Sequence, residues 1–175
     1  MTEQHKLIED ILKQHRHSLS VHYDKYRNHV YRVFNLTLLL HENEKTDTNA
    51  LAVAAAFHDI GIWTADTLDY LEPSIVLAKE YIKENQLKVS AKLVEKIIAN
   101  HHKVTKFKED ALAEAFRKAD LVDLSLGVIS HGVSHREILD LYHIFPEAGF
   151  HLFIAGQVIR HSVKHPFNPL PIFKW

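Results

Sequence analysis

The sequence predicts an all-α protein, a single compact bundle of about seven to eight helices in which residues 1–175 form one domain. Apolar residues recur three and four apart in one segment after another, the spacing of a helix face. Glycine and proline occur five times each and no Asn-Gly or Asp-Gly pair is present, so a sheet of several strands has no turns to build it. A hydrophobic content of 46% in 175 residues is enough for one core, and neither an internal repeat nor a low-complexity linker divides the chain.

The elements follow in order. The first helix is expected over residues 2–15, where Leu7, Ile8, Ile11 and Leu12 share a face. The second is expected over residues 24–42; His29, Val33, Leu36 and Leu40 line one side of it, which turns His29 inward. In TDTNALAVAAAFHDIG, Asp47 and Thr48 supply a capped start, the alanines allow close helix approach, and Gly61 reads as the C-terminal stop. His58 and Asp59 then fall on the last turn of a buried helix. Adjacent helical residues diverge by roughly 100°, so the pair can reach one ion only where the helix ends. Pro73 opens SIVLAKEYIKEN, Ser90 opens AKLVEKIIANHHK, and a helix over about residues 109–128 carries Asp120 and Asp123. Ser134 and Glu137 have the spacing of a capping box before REILDLYHIF, which Pro146 closes, and a last helix covers residues 149–164. The tail HPFNPLPIFKW holds three of the five prolines and is apolar; it is expected to pack on this domain or on a second copy, the basis for expecting a homodimer.

Charge and composition exclude several classes. Lysine and arginine total 21 against 22 acidic residues, and no basic stripe is present, so a nucleic-acid polymer is not an expected partner. Cysteine is absent, which removes disulfides and thiolate metal sites and agrees with a reducing compartment. The start MTEQHKLIEDILKQ is charged and amphipathic, unlike a signal peptide or membrane span, and a cytoplasmic location with no membrane partner is expected. Fifteen histidines are scattered through periodic segments; His131, His135, His143, His151, His161 and His165 read as structural or exposed.

The chemistry concentrates in His29, the adjacent His58 and Asp59, and Asp120. Two imidazoles and two carboxylates make a suitable shell for a divalent cation that keeps positions open for water and substrate. Such a cation lowers the pKa of its water and attracts a phosphoryl oxygen, so a bound hydroxide is the expected nucleophile. Asp59 is expected to be catalytic as well as a ligand, because its second oxygen can orient that water or accept its proton. Arg32, one turn after His29, is a candidate for bidentate contact with a phosphate or for holding a ligand carboxylate. Asp123 is placed to orient a histidine ligand from behind.

Read together, HVYRV (residues 29–33), AAAFHDIG (54–61), IIANHH (97–102) and RKADLVD (117–123) resemble the ordered motif series of the HD-domain superfamily of metal-dependent phosphohydrolases. The resemblance covers about residues 20–130. It implies a helical bundle in which His29, His58, Asp59 and Asp120 ligate the metal (Mn, Fe, Co, Ni, Zn or Mg) and hydrolysis of a phosphomonoester or phosphodiester of a small molecule, often a nucleotide. Relatives with two metals carry further histidines. His101 and His102 suit that role or a place beside the substrate phosphate. No histidine lies between Asp59 and His101, where another is expected, and only Asp66, Asp69 or Glu72 offers a substitute oxygen there. One cation site is therefore expected, with a second left open. Two other classes compete: a di-iron oxygenase on the same fold, which requires a complete second site, and a non-catalytic domain that binds a nucleotide or metal. The loops around Trp63–Leu71 and Lys103–Lys108 are expected to select the substrate, with Trp63 and Phe107 either stacking on a ring or serving the core.

Overall fold

The computed structural model describes residues 4–41, 43 and 45–168. Its elements are α1 (Lys6–Gln14), α2 (Arg16–Leu19), a 3₁₀ turn (Ser20–His22), α3 (Tyr23–Leu40), α4 (Thr48–Phe57), α5 (Gly61–Thr64), α6 (Leu71–Glu84), α7 (Ala91–Asn100), α8 (Ala111–Leu124), α9 (His135–Ile144) and α10 (Phe150–Lys164). Eight of these exceed two turns, and no strand occurs among the described residues. The all-α bundle expected from periodicity is the fold observed.

Helix α4 is the axis of the molecule. Every residue from Ala50 to Phe57 is inaccessible to solvent, and a helix apolar all round must be enclosed. Five alanines in those eight positions let α1, α3, α6 and α7 close on it. Helices α3 and α8 form the most extensively packed pair, which brings His29 on one against Asp120 and Asp123 on the other. Most buried apolar residues form one core cluster from Ile8 in α1 to Phe150 in α10, and Ile62, Leu68, Tyr70 and Leu71 form a second, smaller one.

Local chemistry sets the boundaries. Asp47 accepts from the Ala50 N–H at 2.9 Å, and Asp110 accepts from the Leu112 and Ala113 N–H groups at 3.0 and 3.1 Å. Ser134 and Glu137 form the reciprocal capping box, at 3.2 and 3.1 Å. The first predicted helix, residues 2–15, corresponds to α1, and α2 after His15 was not anticipated; positions 1–3 and Glu42 lie outside the described residues. Gly61 is no stop: it begins α5, which periodicity did not reveal, and it is not among the positive-φ glycines. A Cβ built on it would lie 2.6 Å from the Tyr70 carbonyl oxygen and 2.9 Å from the Ser74 hydroxyl. The glycine is there for close approach of the α6 start, and Ser74 Oγ accepts its N–H at 3.0 Å. Phe167 is fully exposed, and the remainder of the tail, residues 169–175, lies outside the described residues. No described helix is long and apolar enough to cross a membrane.

Candidate metal centre

Six side chains converge between α3, the end of α4, the end of α7 and the middle of α8. His29 Nε2 lies 2.9 Å from His58 Nε2. Asp59 Oδ2 is 3.6 Å from His29 Nε2 and 3.4 Å from His58 Nε2, while Asp120 Oδ1 is 3.6 and 3.8 Å from the same two atoms. Donors bound about 2.1 Å from one cation stand roughly 3 to 3.5 Å apart. His29, His58 and Asp120 therefore lie close enough to share one ion, and Asp59 joins His58 and His101 in an adjoining group. His58 and Asp59 both reach the centre because α4 ends at Phe57 and the next three residues form a turn. Tyr26 fixes that turn: its hydroxyl donates to Ala56 O at 3.0 Å and accepts the Asp59 N–H at 3.3 Å.

A second lobe adjoins the first. Asp59 Oδ1 is 3.3 Å from His101 Nε2 and 4.0 Å from His102 Nε2, and Asp120 Oδ2 is 3.7 Å from His102 Nδ1. Each carboxylate thus presents one oxygen to each lobe. The two adjacent histidines reach the centre because α7 ends at Asn100. One cation site was expected with a second left open, and the groups His58–Asp59–His101 and His101–His102–Asp120 are further sets of buried donors that could hold an ion. Asp66, Asp69 and Glu72 are exposed, so Glu72 does not supply the substitute oxygen. From the same stretch Tyr70 is buried, and its hydroxyl lies 2.6 Å from His102 Nε2.

The donor chemistry fits a metal. His58 Nδ1 faces Ala55 O at 2.7 Å and His101 Nδ1 faces Ile98 O at 2.7 Å, so those nitrogens carry hydrogen and the Nε2 lone pairs face the carboxylates. His29 Nδ1 is held by Asp123 Oδ2 at 2.6 Å, with the same consequence. Asp59 Oδ1, Asp120 Oδ1 and His101 Nε2 are buried with no hydrogen-bond partner among the described residues, an arrangement that costs free energy unless something binds them. Burial opposes a charge on His29, but Asp123 and Asp59 outweigh it and push its pKa up to about 9. Burial, helped by neighbouring His29 and His101, pushes His58 down to about 3 against the pull of Asp59. Burial raises Asp120 to about 7, while Asp59 is held well below the carboxylate range because His58, His101 and His29 overcome its burial. The carboxylates draw positive charge into the centre, and a divalent cation satisfies that demand as protons do.

Arg32 is not placed for a substrate. It is completely buried; its Nε and Nη2 donate to the two oxygens of Asp123 at 2.5 and 3.0 Å, and Nη1 donates to the Phe145 and Pro146 carbonyls at 2.8 and 3.2 Å. The phosphate contact expected for it is replaced by a brace on the residue that orients His29. Phe150 and Tyr142, which the sequence did not mark, and His151, read from sequence as structural or exposed, join this brace or cover it. Phe150 stacks on the His29 ring at 4.0 Å, Tyr142 donates to Asp123 O at 3.0 Å, and His151 Nε2 meets the same carbonyl at 2.8 Å. All come from the C-terminal helices, and no spacing motif signals them. Trp63 packs on Tyr26 and Phe153, and Phe107 is buried, so both serve the core.

An all-helical bundle enclosing buried imidazole and carboxylate donors in this order defines a metal-binding class of helical protein. A model of the HD domain matches residues 26–143, more than half of the chain, and the chain belongs to the HD-domain family. No curated protein and no solved structure matches it.

Proposed function

We propose that this chain is a metal-dependent phosphohydrolase acting on a small phosphorylated molecule, a nucleotide or a related phosphate ester. The observation that carries the reading is the set of adjoining buried groups His29–His58–Asp120 and His58–Asp59–His101, in which Asp59 Oδ1, Asp120 Oδ1 and His101 Nε2 have no hydrogen-bond partner among the described residues. HD-family membership supports the hydrolase class. A divalent cation supplies acidified water and a field for a phosphoryl oxygen. The chain supplies the rest: His29 and His58 present fixed lone pairs, and Asp59 and Asp120 offer outer oxygens that can take or return a proton. His102 is the most exposed of the six donors, at 9% against 0–3% for the others. Substrate therefore approaches from the His102 side, which puts the second lobe next to the phosphate.

The test is phosphate release from a panel of phosphorylated metabolites with Mn²⁺, Co²⁺ or Mg²⁺ restored to chelated protein. Metal-dependent release abolished in Asp59→Ala is the expected result; no release from any ester with metal bound overturns the reading. The second lobe also favours one rival, the di-iron oxygenase. A count of two metals does not separate these classes, so the deciding measurement is iron-dependent oxygen consumption.

A further inference from the structure

Helix α10 has two apolar faces where a surface helix needs one. The inner face serves the chain itself: Phe150 is fully buried, and Phe153, Ile154 and Val158 pack on the cluster of Ile62, Leu68, Tyr70 and Leu71. On the opposite side Leu152, Ala155, Gly156, Ile159 and Val163 recur at the three- and four-residue spacing of one helix face. All five are exposed, Leu152 at 81%, Ile159 at 65% and Val163 at 77%, and no charged side chain interrupts the stripe. Gly156 stands at its middle, and a Cβ built there would meet no heavy atom within 4 Å. Gly61 is a glycine because α6 presses on it. Nothing described in this chain presses on Gly156, although glycine weakens a helix interior relative to alanine. The position has the form of a close contact whose second helix comes from another molecule.

We propose that this stripe is a homodimer interface, in which α10 of one copy packs antiparallel on α10 of a second copy about a two-fold axis. Self-complementarity is what selects a second copy as the occupant. A two-fold sets residue i of one copy against j of the other, and j against i. With the axis passing between positions 157 and 158, Leu152 of one copy meets Val163 of the other, and Ile159 enters the groove left by Ala155 and Gly156. Both contacts occur twice. Two such stripes bring no like charges together, since Arg160 and Lys164 stand to one side, and a foreign partner of opposite charge finds nothing on the stripe to recognise. The area agrees. With fully exposed Phe167 just beyond the helix, the four large side chains present roughly 600 Å² per copy, so pairing reaches about the 1,200 Å² at which specific interfaces begin. Pairing also bears on the metal centre, because the helix that it fixes carries Phe150, stacked on His29 at 4.0 Å.

Two measurements test this on the full chain. Sedimentation velocity over a wide range of concentration should show a dimer in the wild type. Ile159→Glu should weaken it by about 100-fold, and Gly156→Leu should weaken it while leaving the melting temperature of the dilute monomer unchanged or higher. Every substituted position is exposed, so the variants should keep the wild-type circular dichroism. Cross-linking reads the register, and a chain without cysteine makes it clean. Leu152→Cys mixed with Val163→Cys should give a disulfide-linked dimer under mild oxidation by copper phenanthroline. Either variant alone should not, because antiparallel pairing sets the two copies of position 152 roughly 16 Å apart along the helices. A dimer that Ile159→Glu leaves intact, or Leu152→Cys linking efficiently to itself, overturns the inference. So does a monomer at every concentration, whether nuclear Overhauser contacts show residues 169–175 of the same chain on Ile159 or vesicles of phosphatidylcholine and phosphatidylserine capture the stripe instead.

Discussion

The two lobes use the same donor types and share Asp59 and Asp120, yet their supports differ in charge. Behind His29 stands a buried ionic chain in which Asp123 is gripped by Arg32 and held well below the carboxylate range, its burial outweighed first by His29 and then by Arg32. Behind His101 and His102 stand a carbonyl and a phenol, on a loop that a buried pair at the surface end of α8, Glu114 and Arg117, ties down. Arg117 donates to Lys103 O at 3.2 Å, and Glu114 accepts the Phe107 N–H at 2.9 Å. A buried ionic chain fails as a unit when one member is removed, because the remaining charge is left without a counterpart. Neutral hydrogen bonds fail one at a time. The inner lobe is thus rigid and all-or-none, and the outer lobe is adjustable.

The largest expected effect comes from the residue that joins them. Asp59→Ala should abolish stoichiometric metal binding in both lobes, read by metal analysis after dialysis; a variant retaining one tightly bound ion would break the shared-carboxylate picture. Next is Arg32→Ala. It should cost about 3–5 kcal/mol in urea unfolding, because Asp123 becomes a buried charge with one partner gone. A loss below about 1 kcal/mol, the ordinary value for an exposed ion pair, would show the brace to be dispensable. His101→Ala should leave the inner ion in place and abolish stoichiometric binding of the outer one; equal loss of both would erase the distinction between lobes.

The smallest effect is a response to acid. Burial raises the Glu114 carboxyl, but Arg117 and the Phe107 N–H overcome it, and the folded pKa lies below the ordinary value. A depressed carboxylate contributes stability that is present above the unfolded pKa, about 4.3, and is lost as pH falls through the folded value. Exchange of the Phe107 amide should accelerate in that window, and Glu114→Gln should remove the dependence. Acceleration already at neutral pH would mean that this pair does not hold the outer loop.

Much of the architecture was legible because periodicity and caps report local preference: Asp47, Ser90 and Ser134 each accept from the backbone at a helix start. The inner quartet was legible because each member lies in a motif with its own setting. Tyr70 was not, since a tyrosine before a helix carries no spacing signal and its partner is 32 residues away. The choice between the two roles open to Arg32, phosphate contact or a grip on a carboxylate, was not legible for a related reason: sequence shows that a guanidinium stands one turn from His29 but not that Asp123 and two carbonyls already engage it. Gly61 looked like a stop because a glycine after a helix usually is one, and only the packed α6 shows the contact that requires it.

The stack of Phe150 on His29 bears on where this protein can be cut. Family similarity ends at residue 143, seven positions before that ring. A fragment trimmed to the matched span keeps every donor but loses Phe150, the His151 contact to Asp123 and the α1 side chains Ile8, Ile11 and Leu12. Water would then meet the imidazole face that the intact chain keeps dry, so the shortest recognisable sequence is shorter than the shortest working enclosure.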